Sequence, residues 1–255
     1  MKTPVITFAT EQGPRTYQED FAVHFRIKTP HMRGWLLAVM DGHKGKSVAE
    51  LCANEIKGLF QPSDPNTIEI ALRDVVAALN TKTAHLNEGS TLSIACILEN
   101  HNKAVIAVLG DSPILVLDKH GELHMSPEHN VRSNSNERKA ATKRGATYDG
   151  GYIYFFDGDH GPQYGLQLSR VLGDAPLAKI LSREPKIYTI VDPKWVLVAS
   201  DGLLDPSHKD TKVLIHELKT RAKQYATADE LLRWASERGL RDNATALVWC
   251  RQKKR

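Results

Sequence analysis

A chain of 255 residues is long enough for one substantial core, and 41% apolar with 25% charged residues is an ordinary globular balance that excludes a disordered or collagen-like polymer. The net charge of +4, from 34 Lys and Arg against 30 Asp and Glu, is too modest to mark a nucleic-acid or membrane-surface binder, and part of it sits in the basic tail 251–255, read as a solvated end. Three scattered cysteines (Cys52, Cys96, Cys250) exclude a disulfide framework, and no Cys/His spacing suits zinc.

From the N-terminus, strands are predicted over 5–9 and 21–27, and the continuous apolar run 35–40 reads as a buried strand that stops at Asp41-Gly42. Ser47 is placed to cap a helix running to about Phe60, with Glu50 completing a capping box. A second helix, from about Thr67 to His85, puts Ile68, Leu72, Val75, Val76 and Leu79 on one face. Strand-like runs follow at 90–98, 104–109 and 114–117, and Asp118-Lys119-His120-Gly121 reads as a hairpin turn into 122–125. A short helix is expected over 134–145. The stretch 146–167, rich in Gly, Tyr and Asp, reads as an irregular flap with room for a hairpin. Strands at 186–191 and 195–199 precede helices near 209–225 and 228–237, the latter capped by Thr227 with Glu230 at the box position; 244–250 is the last strand. Strands and helices interleave throughout, which predicts one domain over 1–250 followed by the tail 251–255. Periodicity alone leaves an α/β sheet open. The tight turns after Leu109 and Leu117 favour antiparallel pairing, so the expected fold is α+β: a central antiparallel β-sandwich flanked by helices on both sides.

The carboxylates fall at strand ends. Asp41 follows 35–40, Asp111 follows 104–109 and Gly110, and Asp201 follows 195–200; Asp242 and Asn243 precede the last strand, and Glu19-Asp20 precede Phe21. Taken singly, an Asp-Gly pair is an ordinary turn. If these strand ends meet at one edge, the charges repel and a bound cation relieves them. Oxygen donors suit Mg2+ or Mn2+ rather than zinc. Two such ions about 3.5–4 Å apart activate water and clamp a phosphoryl oxygen. Arg15 could then fork onto phosphate, and His43 could give the departing alkoxide its proton. Alone, an Arg is commonly a surface ion-pair residue and a loop His merely solvated.

Seven stretches, in order, resemble the motifs of the metal-dependent protein phosphatase 2C family. They are Arg15-Thr16-Tyr17-Gln18-Glu19-Asp20, Ala38 through Gly45 with Asp41-Gly42-His43, Gly89-Ser90-Thr91, Leu109-Gly110-Asp111-Ser112, Leu168 through Asp174, Val198 through Asp205 and Arg241 through Thr245. The resemblance covers about residues 10–250 and implies the αββα sandwich and phosphoserine/phosphothreonine hydrolysis. It implies Glu19, Asp41, the Gly42 carbonyl, Asp201 and Asp242 around two core Mg2+ or Mn2+ ions, and Asp111 with Asp201 around a weaker third. Arg15 would hold phosphate, His43 would act as acid, and Asp20, Asp205 and Asn243 would orient the ligands. Three positions depart from the family: Lys44 stands for Gly, Pro113 for Arg and Leu204 for Trp. The alternatives are a catalytically weak phosphatase-like regulatory module and a phosphatase acting on a non-protein phosphoester. Phosphorylated proteins are the expected partners, with no nucleic acid and no membrane. No signal peptide follows Met1 and no run approaches the ~18 to 20 apolar residues of a membrane span, so a cytoplasmic protein is expected. A monomer is the default expectation; no coiled-coil heptads occur, which by itself leaves the oligomeric state open.

Overall fold

Side chains alternate faces along a strand, and in the strand Arg33–His43 both faces are apolar: Leu36, Ala38 and Met40 point one way, Leu37 and Val39 the other, all of them fully buried. A strand of that kind must be covered twice. In the structure, a computed structural model that describes residues 4–156, 161, 164–204 and 211–251 (the backbone alone for 211–213), one face meets helices and the other meets a second sheet.

In chain order the elements are β1 (Val5–Glu11), β2 (Asp20–Lys28), β3 (Arg33–His43), α1 (Ser47–Leu59), α2 (Ile68–Thr83), β4 (Gly89–Ser90), β5 (Leu92–Leu98), β6 (Lys103–Leu109), β7 (Ile114–Asp118), β8 (Leu123–Met125), α3 (Ser135–Lys143), β9 (Thr147–Asp149), β10 (Tyr152–Tyr154), β11 (Leu172–Gly173), β12 (Lys186–Val191), β13 (Pro193–Ala199), α4 (Thr211–Gln224), α5 (Ala228–Ser236) and β14 (Ala244–Cys250). One sheet runs β1-β14-β13-β7-β8; the other runs β11-β4-β3-β5-β6-β12, with β2 on β3. These pairings are antiparallel.

Three apolar layers follow. Leu37, Val39, Ala95, Ile106, Val198 and Trp249 are among the residues that fill the space between the sheets. Outside one sheet, Leu36, Met40, Ile94 and Cys96 pack on α1 and α2 through Ile56, Leu72 and Leu79. Outside the other, Leu117, Trp195, Leu197 and Val248 pack on Leu214, Leu218 and Leu231 of α4 and α5. Each fully buried Leu or Val contributes roughly 1.5–3 kcal/mol. This is the αββα sandwich that the turns predicted. A satellite core, including Val131, Ala141, Ile153, Leu168 and Ile180, packs described residues of 131–155 against 164–181.

The differences from the sequence expectations are local. β3 does not stop at Asp41-Gly42. It runs on to His43, because Gly42 and His43 find their own partners, Ser90 and Gly89, on β4. Ser47 does not cap α1: the N-cap is Lys46, and the Glu88 carboxylate accepts the Ser47 N–H at 2.6 Å instead. At α5 the expected box is present, with Thr227 accepting from the Glu230 N–H and the Glu230 carboxylate accepting from the Thr227 N–H. The flap does contain a hairpin, β9–β10. Asp205, expected to orient a ligand, and tail residues 252–255 lie outside the described residues.

Candidate active site

Antiparallel order delivers the acidic residues to one end of the sandwich. Asp20 opens β2 and pairs across with Asp41 near the end of β3. Asp201 follows β13, and Asp242-Asn243 lead into β14, which pairs with β13. The Asp201 N–H approaches Asp41 Oδ2 at 3.5 Å, so two carboxylate-bearing strand ends from different sheets meet there.

Backbone contacts fix Asp41. Its N–H donates to Thr91 Oγ1 at 3.1 Å, and its carbonyl accepts from the Thr91 N–H at 3.0 Å and from Ser90 Oγ at 3.2 Å. Thr91 Oγ1 and Ser112 Oγ, 2.7 Å apart, then link this strand end to the turn that carries Asp111. Asp111 Oδ2 accepts from Asn130 Nδ2 at 3.0 Å. Asp20 is buried and accepts from Ser200 Oγ at 2.6 Å, the hydroxyl that also receives the Thr245 N–H. Asn243 accepts the Glu19 N–H at 2.8 Å and donates to the Gln12 and Tyr17 carbonyls, which ties the loop carrying Arg15 and Glu19 to the start of β14. The Gly42 N–H donates to the Glu19 carbonyl, and a Cβ at Gly42 would stand 2.6 Å from that oxygen.

These placements perturb the carboxyls. Burial first, then the charges of Asp201, Asp20, Asp111 and Asp242, push Asp41 well above the ordinary carboxylate range. Burial, then Asp111 and Asp242, do the same to Asp201. Burial raises Asp111, against the opposing hydrogen bond from Asn130. Burial raises Asp20 to about 6, with Ser200 and Thr245 pulling the other way. Converged acids of this kind are costly as they stand, and a hard divalent cation removes that cost, so the donor set fits Mg2+ or Mn2+. Among the described residues, the His/Cys/Asp/Glu group whose ligand atoms all lie within 4.8 Å of one another is a different one, Asp118, Glu122 and His124 at the β7–β8 hairpin. The converged acids are set more widely than that, as suits ions that keep several of their waters.

The two predicted non-ligands stand beside the acids. Arg15 is half exposed; its Nη2 donates to Asp242 Oδ2 at 2.5 Å and its Nε to the Arg241 carbonyl at 3.4 Å. His43 Nε2 lies 2.6 Å from Asp174 Oδ2, and Tyr164 Oη donates to Asp174 Oδ1 at 2.6 Å. Sequence reasoning assigned no role to Asp174, Tyr164, Asn130 or Ser200. Asp174 was visible as the last residue of a motif stretch, whereas Tyr164 and Asn130 lie in segments without periodic signal.

The profile of the family described as Protein phosphatase 2C matches residues 9–244. The chain belongs to the protein phosphatase 2C family. A relative from Arabidopsis thaliana named probable protein phosphatase 2C 58 is 31% identical over 242 residues, covering 90% of this chain and 81% of its own length. Another, probable protein phosphatase 2C 9 from the same plant, is 30% identical over 241 residues, covering 90% and 82%. A solved serine/threonine phosphatase from Staphylococcus aureus superimposes with a TM-score of 0.71 at 20% identity, over 99% of this chain and 96% of that one; identity so low speaks for the fold alone.

Within this protein phosphatase 2C chain, the Lys44 departure keeps a glycine-like backbone, with φ at +64°. Its ammonium lies 3.2 Å from the Tyr164 ring centroid and donates to the Asn87 carbonyl at 2.8 Å. Pro113 keeps its carbonyl in the sheet by accepting the Ala199 N–H, and Leu204 packs on the α4–α5 core.

Proposed function

We propose that this protein phosphatase hydrolyses phosphoserine and phosphothreonine in phosphorylated proteins with two Mg2+ or Mn2+ ions. The observation that carries the reading is the approach of Asp201 to Asp41 from separate sheets, among acids whose pKa values are raised by burial first and then by neighbouring carboxylates. Asp41, Asp201, Asp242, Glu19 and the Gly42 carbonyl would hold the two ions, and Asp111 with Asp201 a weaker third. Such ions, when bound, lower the pKa of water and draw charge from a phosphoryl oxygen. Arg15, anchored on Asp242, presents the free edge of its guanidinium to phosphate oxygens. Asp20 and Asn243 hold the strand ends on which the ligands stand. His43 protonates the departing alkoxide. The same reading takes 1–250 as one catalytic domain with 251–255 as a basic appendage, acting as a cytoplasmic monomer on phosphoproteins rather than on nucleic acid or membranes. No helix among the described residues is long and apolar enough to cross a membrane.

The test is phosphate release from phosphothreonine, phosphoserine and phosphotyrosine peptides in Mn2+, in Mg2+ and in EDTA. Release from the first two is expected, abolished by EDTA, with Asp201→Asn losing roughly 1,000-fold or more in kcat. Wild-type turnover by Asp201→Asn, or full activity in EDTA, defeats the reading.

A further inference from the structure

β4 lies between β3 and β11, and Gly89 on β4 pairs with His43 on one side and with Gly173 on the other. That register brings the residue after Gly173, Asp174, against the His43 ring. Gly89 is what permits the contact: a Cβ there would stand 2.0 Å from Asp174 Oδ2 and 2.2 Å from His43 Nε2.

Asp174 is fully buried, sits at φ +51°, and heads a short 3-10 turn over Ala175–Leu177 without capping it through its side chain. Its two oxygens go elsewhere, Oδ2 to His43 and Oδ1 to Tyr164. The neighbouring guanidinium of Arg183 donates to the Val171 and Gly173 carbonyls, which pins the backbone that carries Asp174. Burial, and then the carboxylate itself, push the Tyr164 hydroxyl upward, so it stays protonated and donates. The Lys44 ammonium over its ring and the Lys44 bond to Asn87 hold that tyrosine in place.

We propose that Asp174, with Tyr164 behind it, is a positioning residue for His43 in phosphate-ester cleavage. The proposal rests on the assignment of His43 as the acid. With Nε2 engaged by Asp174, Nδ1 is the nitrogen left for the departing oxygen. As the oxygen of a water bonds to phosphorus and gives up a proton to solvent, the P–O bond to the serine or threonine breaks; its electron pair stays on that oxygen, which takes the proton from Nδ1, and solvent returns a proton to the ring. A buried carboxylate hydrogen-bonded to the far nitrogen fixes the orientation of the ring. Tyr164 removes the freedom of that carboxylate to turn away.

Leaving-group dependence tests this. An alkoxide needs the proton, and p-nitrophenolate does not. Steady-state kinetics at saturating Mn2+ compare wild type, His43→Gln, Asp174→Asn and Tyr164→Phe on a phosphothreonine peptide and on p-nitrophenyl phosphate. Asn tolerates positive φ and is isosteric with Asp, so Asp174→Asn should fold. It is expected to lose roughly 10- to 100-fold in peptide kcat with KM within about twofold, and under about threefold on p-nitrophenyl phosphate. Tyr164→Phe keeps the ring under Lys44 and should show the same split at roughly 3- to 10-fold. In metal-free protein labelled with 15N-histidine, the His43 Nε2–H resonance should be hydrogen-bonded in wild type and altered in Asp174→Asn. Equal losses on both substrates, or unchanged peptide kcat in both variants, overturn the positioning role while His43→Gln still shows the split. If His43→Gln shows no split, the acid assignment fails and this proposal with it, although the EDTA-sensitive activity stands.

Discussion

At Lys44 two effects of similar size oppose one another. A non-glycine residue in the left-handed region costs about 1–2 kcal/mol. The cation–π contact with Tyr164 returns about 0.5–2 kcal/mol, and the bond to Asn87 adds about 1 kcal/mol. Lys44→Gly removes both sides, so thermal unfolding should shift by less than about 2 °C. Lys44→Ala keeps the strain and loses the contacts, and should lower Tm by roughly 3–6 °C. If the alanine variant melts with the wild type, the Tyr164 and Asn87 contacts contribute nothing; if it matches the glycine variant, the left-handed backbone costs nothing. The sequence showed Lys44 only as a departure from a pattern; its compensation comes from a tyrosine 120 positions later, which no local signal connects to it. Asp41, Asp111, Asp201 and Asp242 were legible for the opposite reason, because each stands within two residues of an apolar run whose end is marked by the change in polarity. Asp174 follows no such run, so the sequence offered its motif and not its role.

Among the elements, long periodic segments were readable and short ones were not. β12 and β14 have the predicted bounds, and α2 buries each residue assigned to its apolar face. β4 and β11 are two residues each, too short for any period, yet they bring His43 to Asp174. Capping separates local from tertiary control in a measurable way. The Thr227 box at α5 is made within the segment, so Thr227→Ala should cost about 1 kcal/mol and lower Tm by about 2–4 °C. Ser47 begins α1 without a side-chain cap, because Glu88, from the segment after α2, accepts its N–H. Ser47→Ala should therefore change Tm by less than about 1 °C. Denaturation curves of the two variants decide this, and equal losses would restore the local box at α1.

Taken whole, the molecule carries its acids at the junction of two sheets that the core between them already holds together, so folding forces charges into proximity before any ion binds. The consequence is a pH dependence of unusual sign in metal-free protein. Asp20, Asp41, Asp111 and Asp201 all have folded pKa values above the ordinary 3.8, Asp20 at about 6 and Asp41 and Asp201 well above the ordinary value. Between the unfolded and folded values the native chain binds more protons than the unfolded one, so stability falls as pH rises. Asp20 alone corresponds to about 3 kcal/mol across that interval. His129, lowered to about 4 by burial, works in the opposite direction between there and 6.5, but it is one group against four. Metal-free protein should thus melt at a higher temperature at pH 5.5 than at pH 7.5, by several degrees. Mn2+ holds carboxylates in their charged form and releases protons on binding, so the gain in Tm on adding it should be larger at pH 7.5 than at pH 5.5. A protein carrying both Asp41→Asn and Asp201→Asn should lose most of the pH slope and most of the response to Mn2+, while melting higher than wild type in EDTA at pH 7.5. Calorimetric scans of both proteins, with and without Mn2+ at the two pH values, measure all of these differences. A wild-type Tm in EDTA that rises from pH 5.5 to 7.5 would mean that burial and mutual repulsion do not disfavour the charged acids in the folded chain, and the case for cations at this junction would fall with it.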